Sequence, residues 1–436
     1  MRIYNSLSGR VETFRPRSQK AVKIYTCGPT VYARPHIGNF RTYVFEDTVK
    51  RYLKYTGHRV RHVMNITDID ETVAKEMRKT HDGRATLTRK YERLFMQDAS
   101  LLGIMPADKY PHVSDYVEKM AGTAAKLLMM GVAYKDEKCR VFFDISKFPS
   151  YGKLAGKKIR TQRKVMREEY KPYQAGDFLL LSKCTEKKCE KCFETQMGMC
   201  RPAWNVQCAT MATAELGNNI DISMGGQDNL FNHHENTRAI ADTICGDEFS
   251  KYYMHVRHLI INGKKMSKSS SRRNLTAAGN HQIYSTKSKG NVVLLPDLLA
   301  RGFSAREVRM LLLSVHYRQR LDFTWQYARE VKMRMLNMRK AVNALKNAQG
   351  EGTFGSEAPG WAGAEGAWRQ GFDDFSDGAR KEFEASLDDN MDVPSALEVA
   401  ERFARECSVA GLSKKQARAA LVLLKKFDFV LGCLPI

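Results

Sequence analysis

Between Val22 and Ile66 the chain runs strand, turn-rich loop, helix, strand, and that order restricts its fold more than any other stretch. Val22-Lys-Ile-Tyr-Thr-Cys27 alternates apolar and polar residues with the period of a strand. Gly28 to Asn39 then holds two glycines and two prolines, which punctuate a loop. From Phe45 the apolar residues Phe45, Val49, Tyr52 and Leu53 keep helical spacing until Gly57 stops them, and Val60 to Ile66 reads as the next strand. A βαβ unit of this kind joins parallel strands through its helix.

A glycine-containing loop that feeds a helix N-terminus gathers unpaired backbone N–H groups and the positive end of the helix dipole, an arrangement suited to phosphate. In such a loop His36 can donate to a phosphate oxygen, and Gly38 lets a nucleobase approach the backbone. The same four residues, His36-Ile-Gly-Asn39, also fit a capped turn with no ligand. A second segment has similar chemistry. His258-Leu-Ile-Ile-Asn262 reads as a buried strand and runs into Gly263-Lys-Lys-Met-Ser-Lys-Ser269, where Lys265 and Lys268 flank a turn with hydroxyls. Flexible cations there suit the charge that builds on transferring and leaving phosphate oxygens; taken alone, such a segment is more often a solvated surface loop.

Composition sets the class of partner. Seventy-one Lys and Arg against 48 Asp and Glu leave +23, a field that attracts polyanions, nucleic acid first among them. No apolar run reaches the roughly 18 residues of a membrane span, and the N-terminus has no signal-peptide core, so a cytoplasmic chain without a membrane partner is expected. Ten cysteines in such a chain point to thiols, metal ligands or small buried hydrophobes rather than disulfides.

His36-Ile-Gly-Asn39 and Lys265-Met-Ser-Lys-Ser269 together resemble the two signature sequences of class I aminoacyl-tRNA synthetases. Thr26-Cys-Gly-Pro-Thr-Val-Tyr32, Asn65-Ile-Thr-Asp-Ile-Asp70, Gly225-Gly-Gln-Asp228, His233-His-Glu-Asn236, Trp204 and Cys208 resemble the cysteinyl-tRNA synthetase family in order and spacing over residues 1 to 435. Asn39 stands where the signature has its second histidine. The resemblance implies an α/β fold: a Rossmann-type doubly wound parallel sheet with an inserted connective segment, followed by an α-helical bundle. By that reading residues 1–115 form the first half of the catalytic domain and 116–203 the connective insertion, with its Cys-rich segment. Residues 204–262 form the second half, 263–325 the lysine loop and a stem-contact module, and 326–436 a tRNA-binding bundle.

The implied reaction is ATP-dependent formation of cysteinyl-adenylate from L-cysteine, with Mg²⁺ accompanying ATP, and transfer to the terminal adenosine of tRNA, tRNA-Cys by expectation. His36, Asn39, Lys265 and Lys268 fall on catalytic positions. Gly28, His36, Gly38, Asn39, Gly226, Asp228 and Lys268 fall on ATP-binding ones, and Cys27, Thr67, Trp204, Cys208 and His233 on cysteine-binding ones. A monomer is expected. Members of the family usually carry a further anticodon-reading domain after the bundle. The expectation here is a variant without it, which leaves open how the tRNA is identified.

Cys27, Cys208 and His233 also fall on three positions of the family's catalytic zinc, and the substrate thiolate completes the shell. A soft thiolate binds zinc where a serine hydroxyl does not, so one contact discriminates between near-isosteres. The family's fourth ligand, a glutamate, is here Thr237, a much poorer donor; on a regular helix His234 and Glu235 point elsewhere. A Cys₂His zinc with an open fourth position is therefore expected.

Cys184-x₄-Cys189-x₂-Cys192-x₇-Cys200 has knuckle-like spacings compatible with a second, structural zinc, or with an unligated basic insert. An insertion from Ser270 to Asn291 carrying Arg272, Arg273, Lys287 and Lys289 separates the lysine motif from the next helix; it reads as a disordered loop or a tRNA backbone contact. Helical periodicity runs from Ser304, breaks at seven glycines between Gly350 and Gly371, read as a linker, and resumes from Ala396. Two other functions compete. A cysteine ligase acting on a small amine, as in the similar mycothiol cysteine ligases, also lacks the anticodon domain and the zinc glutamate but has no use for a strong positive field. A non-catalytic RNA-binding paralogue leaves intact His36, Gly38, Lys265 and Lys268 unexplained.

Overall fold

A computed structural model of the chain describes residues 1–156, 176–184, 192–266, 291–349 and 365–436. It opens with β1 (Arg2–Asn5), β2 (Arg10–Thr13), β3 (Val22–Thr26), α1 (Ile37–Tyr55), β4 (Val60–Met64), α2 (Glu71–Thr80) and α3 (Arg84–Leu101). Next come α4 (Val117–Met129), β5 (Ala133–Lys135), β6 (Val141–Phe143), β7 (Phe178–Lys183) and β8 (Cys200–Pro202). They are followed by α5 (Trp204–Leu216), β9 (Ile220–Gly226), α6 (Glu235–Cys245), β10 (Ser250–Val256), β11 (Leu259–Ile261) and β12 (Lys264–Lys265). The chain continues as α7 (Leu295–Leu299), α8 (Ala305–Leu313), β13 (Leu321–Phe323), α9 (Trp325–Gln349), α10 (Glu365–Asp388), α11 (Val393–Val409) and α12 (Lys414–Leu431).

The central sheet is parallel throughout, in the order β10-β9-β3-β4. From β3 the chain crosses through α1 to β4, and from β9 it crosses through α6 to β10, on the opposite side. The direction of winding thus reverses between β3 and β9, and the crevice beyond their carboxyl ends is where such sheets bind ligands. One core joins α1 to the helices after residue 295; a second packs α4, α5 and α6 with the antiparallel sheet β5-β6-β7-β8. The expected doubly wound sheet with a helical bundle is present. Among the described residues no helix is long and apolar enough to cross a membrane.

Three local expectations change. Helix α1 begins at Ile37, eight residues before Phe45, because His36 and Asn39 form a reciprocal cap that starts the helix inside the signature: Asn39 N–H donates to His36 Nδ1 (3.2 Å), and His36 N–H donates to Asn39 Oδ1 (3.1 Å). Two of the seven glycines, Gly366 and Gly371, lie within α10 rather than in a linker.

The four-thiol zinc is not formed. Cys184 and Cys192 are joined in a disulfide, which consumes two of the proposed ligands, and Cys200 is a buried free thiol on β8 beside the Thr195 hydroxyl. Cys189 and the segment carrying Arg272, Arg273, Lys287 and Lys289 lie outside the described residues.

Candidate active site

A pocket of about 300 Å³ occupies the switch point. The loop after β3 contributes Cys27, Gly28 and His36, the first turn of α1 contributes Gly38 and Asn39, the start of α5 contributes Trp204 and Cys208, and the end of β9 and the segment after it contribute Gly226, Asp228 and His233; Thr67 follows β4. Residues scattered over 200 positions meet because the chain leaving the ends of β3, β4 and β9 and the start of α5 converge on the same edge of one parallel sheet. Lys268 lies outside the described residues, and Lys265 is described only as a backbone position on β12, paired with Ile260.

The side of the pocket lined by Gly28, His36 and Gly38 is shaped by what is missing. A Cβ on Gly28 would collide with the carbonyl oxygen of Asn65, and one on Gly38 would sit 2.5 Å from Met266 Cε and 3.0 Å from His36 Nδ1. The cap that starts α1 also sets the state of His36. With Nδ1 accepting from Asn39, the neutral ring carries its proton on Nε2. The motif is therefore a capped turn, and the same residues line the pocket. Two residues earlier, Arg34 binds the buried carboxylate of Asp98 on α3 through two bonds of 2.7 and 2.6 Å, fastening this loop to the domain behind it.

At the floor, the ligand atoms of Cys27, Cys208 and His233 lie within 4.8 Å of one another, the one such cluster among the described residues. His233 Nε2 is 3.1 Å from Cys208 Sγ, and the His233 ring lies flat against Trp204, centroids 4.1 Å apart and planes 5° from parallel. In a dry site two neighbouring sulfurs do not both ionise without a cation. The bond from Cys27 holds Cys208 well below the ordinary thiol range, helped by the charge of His233, while that bond and burial push Cys27 well above it. Two sulfurs and an imidazole form a soft donor set of the kind that holds zinc, and a bound cation would let both sulfurs ionise.

The fourth family position is empty of donors, as expected: the Thr237 hydroxyl is buried without a hydrogen-bond partner. His234, however, is not turned away. Leu230–His234 forms a π-turn before α6, so consecutive histidines both face the floor, and His234 Nε2 is 3.0 Å from Cys27 Sγ. Behind it, His234 Nδ1 is 2.9 Å from His255 Nε2, and His255 Nδ1 is 2.8 Å from Ser6 Oγ. Asn65 was also missed as a site residue. Its Oδ1 accepts from Gly28 N–H (3.1 Å) and the Tyr25 hydroxyl (3.3 Å), and its Nδ2 donates to Thr67 Oγ1 (3.0 Å). An amide directly after the buried end of β4, at Met64, was the available signal.

Comparison with known proteins agrees with this geometry. The family of tRNA synthetases class I (C) catalytic domains matches residues 13–280. The Cysteine--tRNA ligase of Chlamydia caviae is 35% identical over 99% of this chain and 86% of its own length, and that of Protochlamydia amoebophila is 34% identical over 100% and 86%. Among solved structures, methionyl-tRNA synthetase of Mycobacterium tuberculosis in complex with methionyl-adenylate superposes with a TM-score of 0.63 at 14% identity, covering 95% of this chain and 92% of that one. The leucyl-tRNA synthetase (LeuRS) of Agrobacterium radiobacter K84, in its ternary complex, gives 0.67 at 11% identity, covering 96% and 85%. The two solved structures share the fold, and identity of 34–35% with the two Cysteine--tRNA ligases over 99–100% of this chain fixes the family: the chain belongs to the cysteine–tRNA ligase family of class I aminoacyl-tRNA synthetases.

Proposed function

We infer that this protein is a cysteine–tRNA ligase. It activates L-cysteine with ATP to cysteinyl-adenylate, releasing pyrophosphate, and passes the cysteinyl group to the 3′-terminal adenosine of tRNA-Cys. The observation that carries the reading is the adjacency of the Cys27, Cys208 and His233 cluster to the capped His36 loop in one pocket. The +23 charge suits an RNA substrate better than a small amine.

Attack of a carboxylate oxygen on the α-phosphorus of ATP·Mg²⁺ needs alignment and dispersal of charge more than proton transfer. His36, protonated on Nε2, is a donor for a phosphate oxygen, and the first turn of α1 adds its N–H groups and dipole. Asn39 acts by holding that cap, while Gly28 and Gly38 leave room for the nucleotide. Gly226 and Asp228 border its nucleoside side, and Lys265 and Lys268 neutralise the departing pyrophosphate. Cys27, Cys208 and His233 would hold Zn²⁺, a Lewis acid that accepts the substrate sulfur as thiolate and has little affinity for a serine hydroxyl. Trp204 packs His233 into position, and Thr67, fixed by Asn65, lines the amino-acid side.

The test is ATP–pyrophosphate exchange, transfer of labelled cysteine to tRNA, and metal analysis. Exchange that depends on cysteine and ignores serine, acid-stable but alkali-labile label on tRNA, and about one zinc per chain that Cys208→Ser removes are expected. Absent exchange, or a zinc content indifferent to Cys208→Ser, overturns the reading. Exchange with label passing only to an amino sugar transfers it to the small-molecule ligases.

A further inference from the structure

Arg41 lies on α1, one turn after Ile37, and is 1% exposed. Among the described residues it has no carboxylate partner. Burial lowers its guanidinium to about 10, which leaves it charged at neutral pH. A buried cation without a counter-charge is costly, and carbonyl dipoles have to offset that cost. They do so from two segments: Nη1 donates to the carbonyl of His258 (2.8 Å), and Nη2 donates to the carbonyls of Gln319 (2.7 Å) and His316 (3.2 Å). An apolar side chain would fill the same space without that cost. Only the rigid fork of a guanidinium holds two stretches of backbone at one fixed spacing from α1.

Both stretches lead to the lysine motif. His258 directly precedes β11, whose antiparallel return β12 carries Lys264 and Lys265. His316 and Gln319 precede β13, which runs parallel to β11 with Leu321 opposite Leu259. The His258 carbonyl also accepts from Leu321 N–H (3.2 Å), so Arg41 binds where the two strands begin. At the far end of the hairpin, Met266 is buried against Gly38, its Cε 2.5 Å from where a Cβ would stand. The lysine strand is thus fastened to α1 twice, by a guanidinium at its entry and by a thioether at its exit. His258 adds a third tie, because its Nε2 is 2.8 Å from Asp228 Oδ1 and both residues line the pocket. A displaced His258 backbone therefore moves the lysine strand and Asp228 together relative to His36.

We propose that Arg41 is a positioning residue for adenylate formation, setting the register of the lysine strand and Asp228 against the His36 turn. The proposal rests on the aminoacylation reading above. Its test uses the full chain and compares Arg41→Met, Arg41→Lys and Arg41→Ala in cysteine-dependent ATP–pyrophosphate exchange and in single-turnover transfer from enzyme-bound cysteinyl-adenylate to tRNA. Misplacing reacting groups by about 1 Å costs about 10²-fold, so kcat for exchange should fall roughly 100-fold in Arg41→Met. Arg41→Lys keeps the charge as a point donor that does not span both stretches, and should remain about tenfold below wild type. KM for cysteine, zinc content and the transfer rate should stay within about twofold of wild type, since the floor of the pocket and the second step do not use the lysine strand. Guanidinium chloride at tens of millimolar, against sodium chloride as control, should raise exchange by Arg41→Ala about tenfold and leave Arg41→Met, whose side chain fills the space, unchanged.

Arg41→Met with wild-type kcat for exchange would overturn the proposal, as would a folded Arg41→Ala that guanidinium does not rescue. Equal losses in exchange and transfer, or a parallel loss of zinc, would also overturn it, since that pattern marks general structural damage. Each of these leaves the enzyme reading intact. Wild-type protein without cysteine-dependent exchange would remove that reading and the role of Arg41 with it.

Discussion

The Arg34–Asp98 pair is where the nucleotide loop is most exposed to a single change, and its effect can be worked out from burial. Asp98 is 0% and Arg34 16% exposed, and the two side chains share two short bonds. Arg34→Met leaves a carboxylate sealed in the domain without its counter-charge. Removing one partner of such a pair costs about 3–5 kcal/mol, against a typical total stability of roughly 5–15 kcal/mol. The variant should therefore fold but with much reduced stability. Replacing both partners, Arg34→Met with Asp98→Leu, removes the buried charge as well as the bond, and should return stability to within about 1 kcal/mol of wild type. Function should not return with it. Without the clamp, the segment carrying His36 loses its tie to α3, so KM for ATP in exchange should stay raised in the double variant while KM for cysteine, whose floor residues sit elsewhere, changes little. Urea unfolding of the four proteins of the cycle gives the coupling energy, and exchange kinetics gives the KM values. A coupling below about 0.5 kcal/mol, or a double variant with wild-type KM for ATP, would refute the reasoning.

Glu46, buried on α1 with neither oxygen hydrogen-bonded, is held neutral because burial pushes its carboxyl well above the usual carboxylate range. The folded protein thus retains a proton that the unfolded chain gives up near pH 4.3, so stability is fully present below that pH and declines as pH rises. Glu46→Met should raise stability at neutral pH by about 1–3 kcal/mol and flatten the pH dependence above pH 4.3; calorimetry showing destabilisation or an unchanged slope would contradict it. Trp204→Ala removes the ring lying flat on His233 and should raise KM for cysteine roughly 2- to 10-fold, from a stacking energy of about 0.5–1.5 kcal/mol, with KM for ATP unchanged.

How much of this was legible in the sequence depended on the range of the forces involved. The βαβ order and the two phosphate-suited loops are local patterns, legible from the residues themselves, whereas Cys27, Cys208 and His233, separated by 25 to 206 positions, could be named together only through the family resemblance. The start of α1 was misjudged because a histidine and an asparagine are an uncommon capping pair, and the apolar stripe at Phe45 is a stronger periodic signal. Cysteine spacing between 184 and 200 was read as metal ligands or an unligated insert, and the disulfide went unforeseen because only the connection between β7 and β8 brings Cys184 and Cys192 to a Cα separation of 6.1 Å. The π-turn had no signature at all. Its inserted residue turns His234 toward Cys27, where 100° steps on a regular helix would carry it away.

That turn also gives Cys27 a hydrogen-bond partner of fixed direction. Burial holds His255 down at about 3, and burial with the neighbouring His255 and His233 holds His234 well below the ordinary range, so both rings stay neutral at physiological pH. A neutral imidazole has one donor and one acceptor, so the file from Ser6 through His255 and His234 to Cys27 can point only one of two ways. The one proton of Cys27 is committed to Cys208, so Cys27 accepts from His234 Nε2, His255 Nε2 donates to His234 Nδ1, and Ser6 Oγ donates to His255 Nδ1. A thiolate at Cys27 accepts the same bond, so both rings should keep the Nε2–H tautomer with and without added zinc, as ¹⁵N shifts of histidine-labelled protein read directly. A switch of either ring between Nδ1–H and Nε2–H on adding zinc would show that Cys27 gives its proton to His234 and not to Cys208.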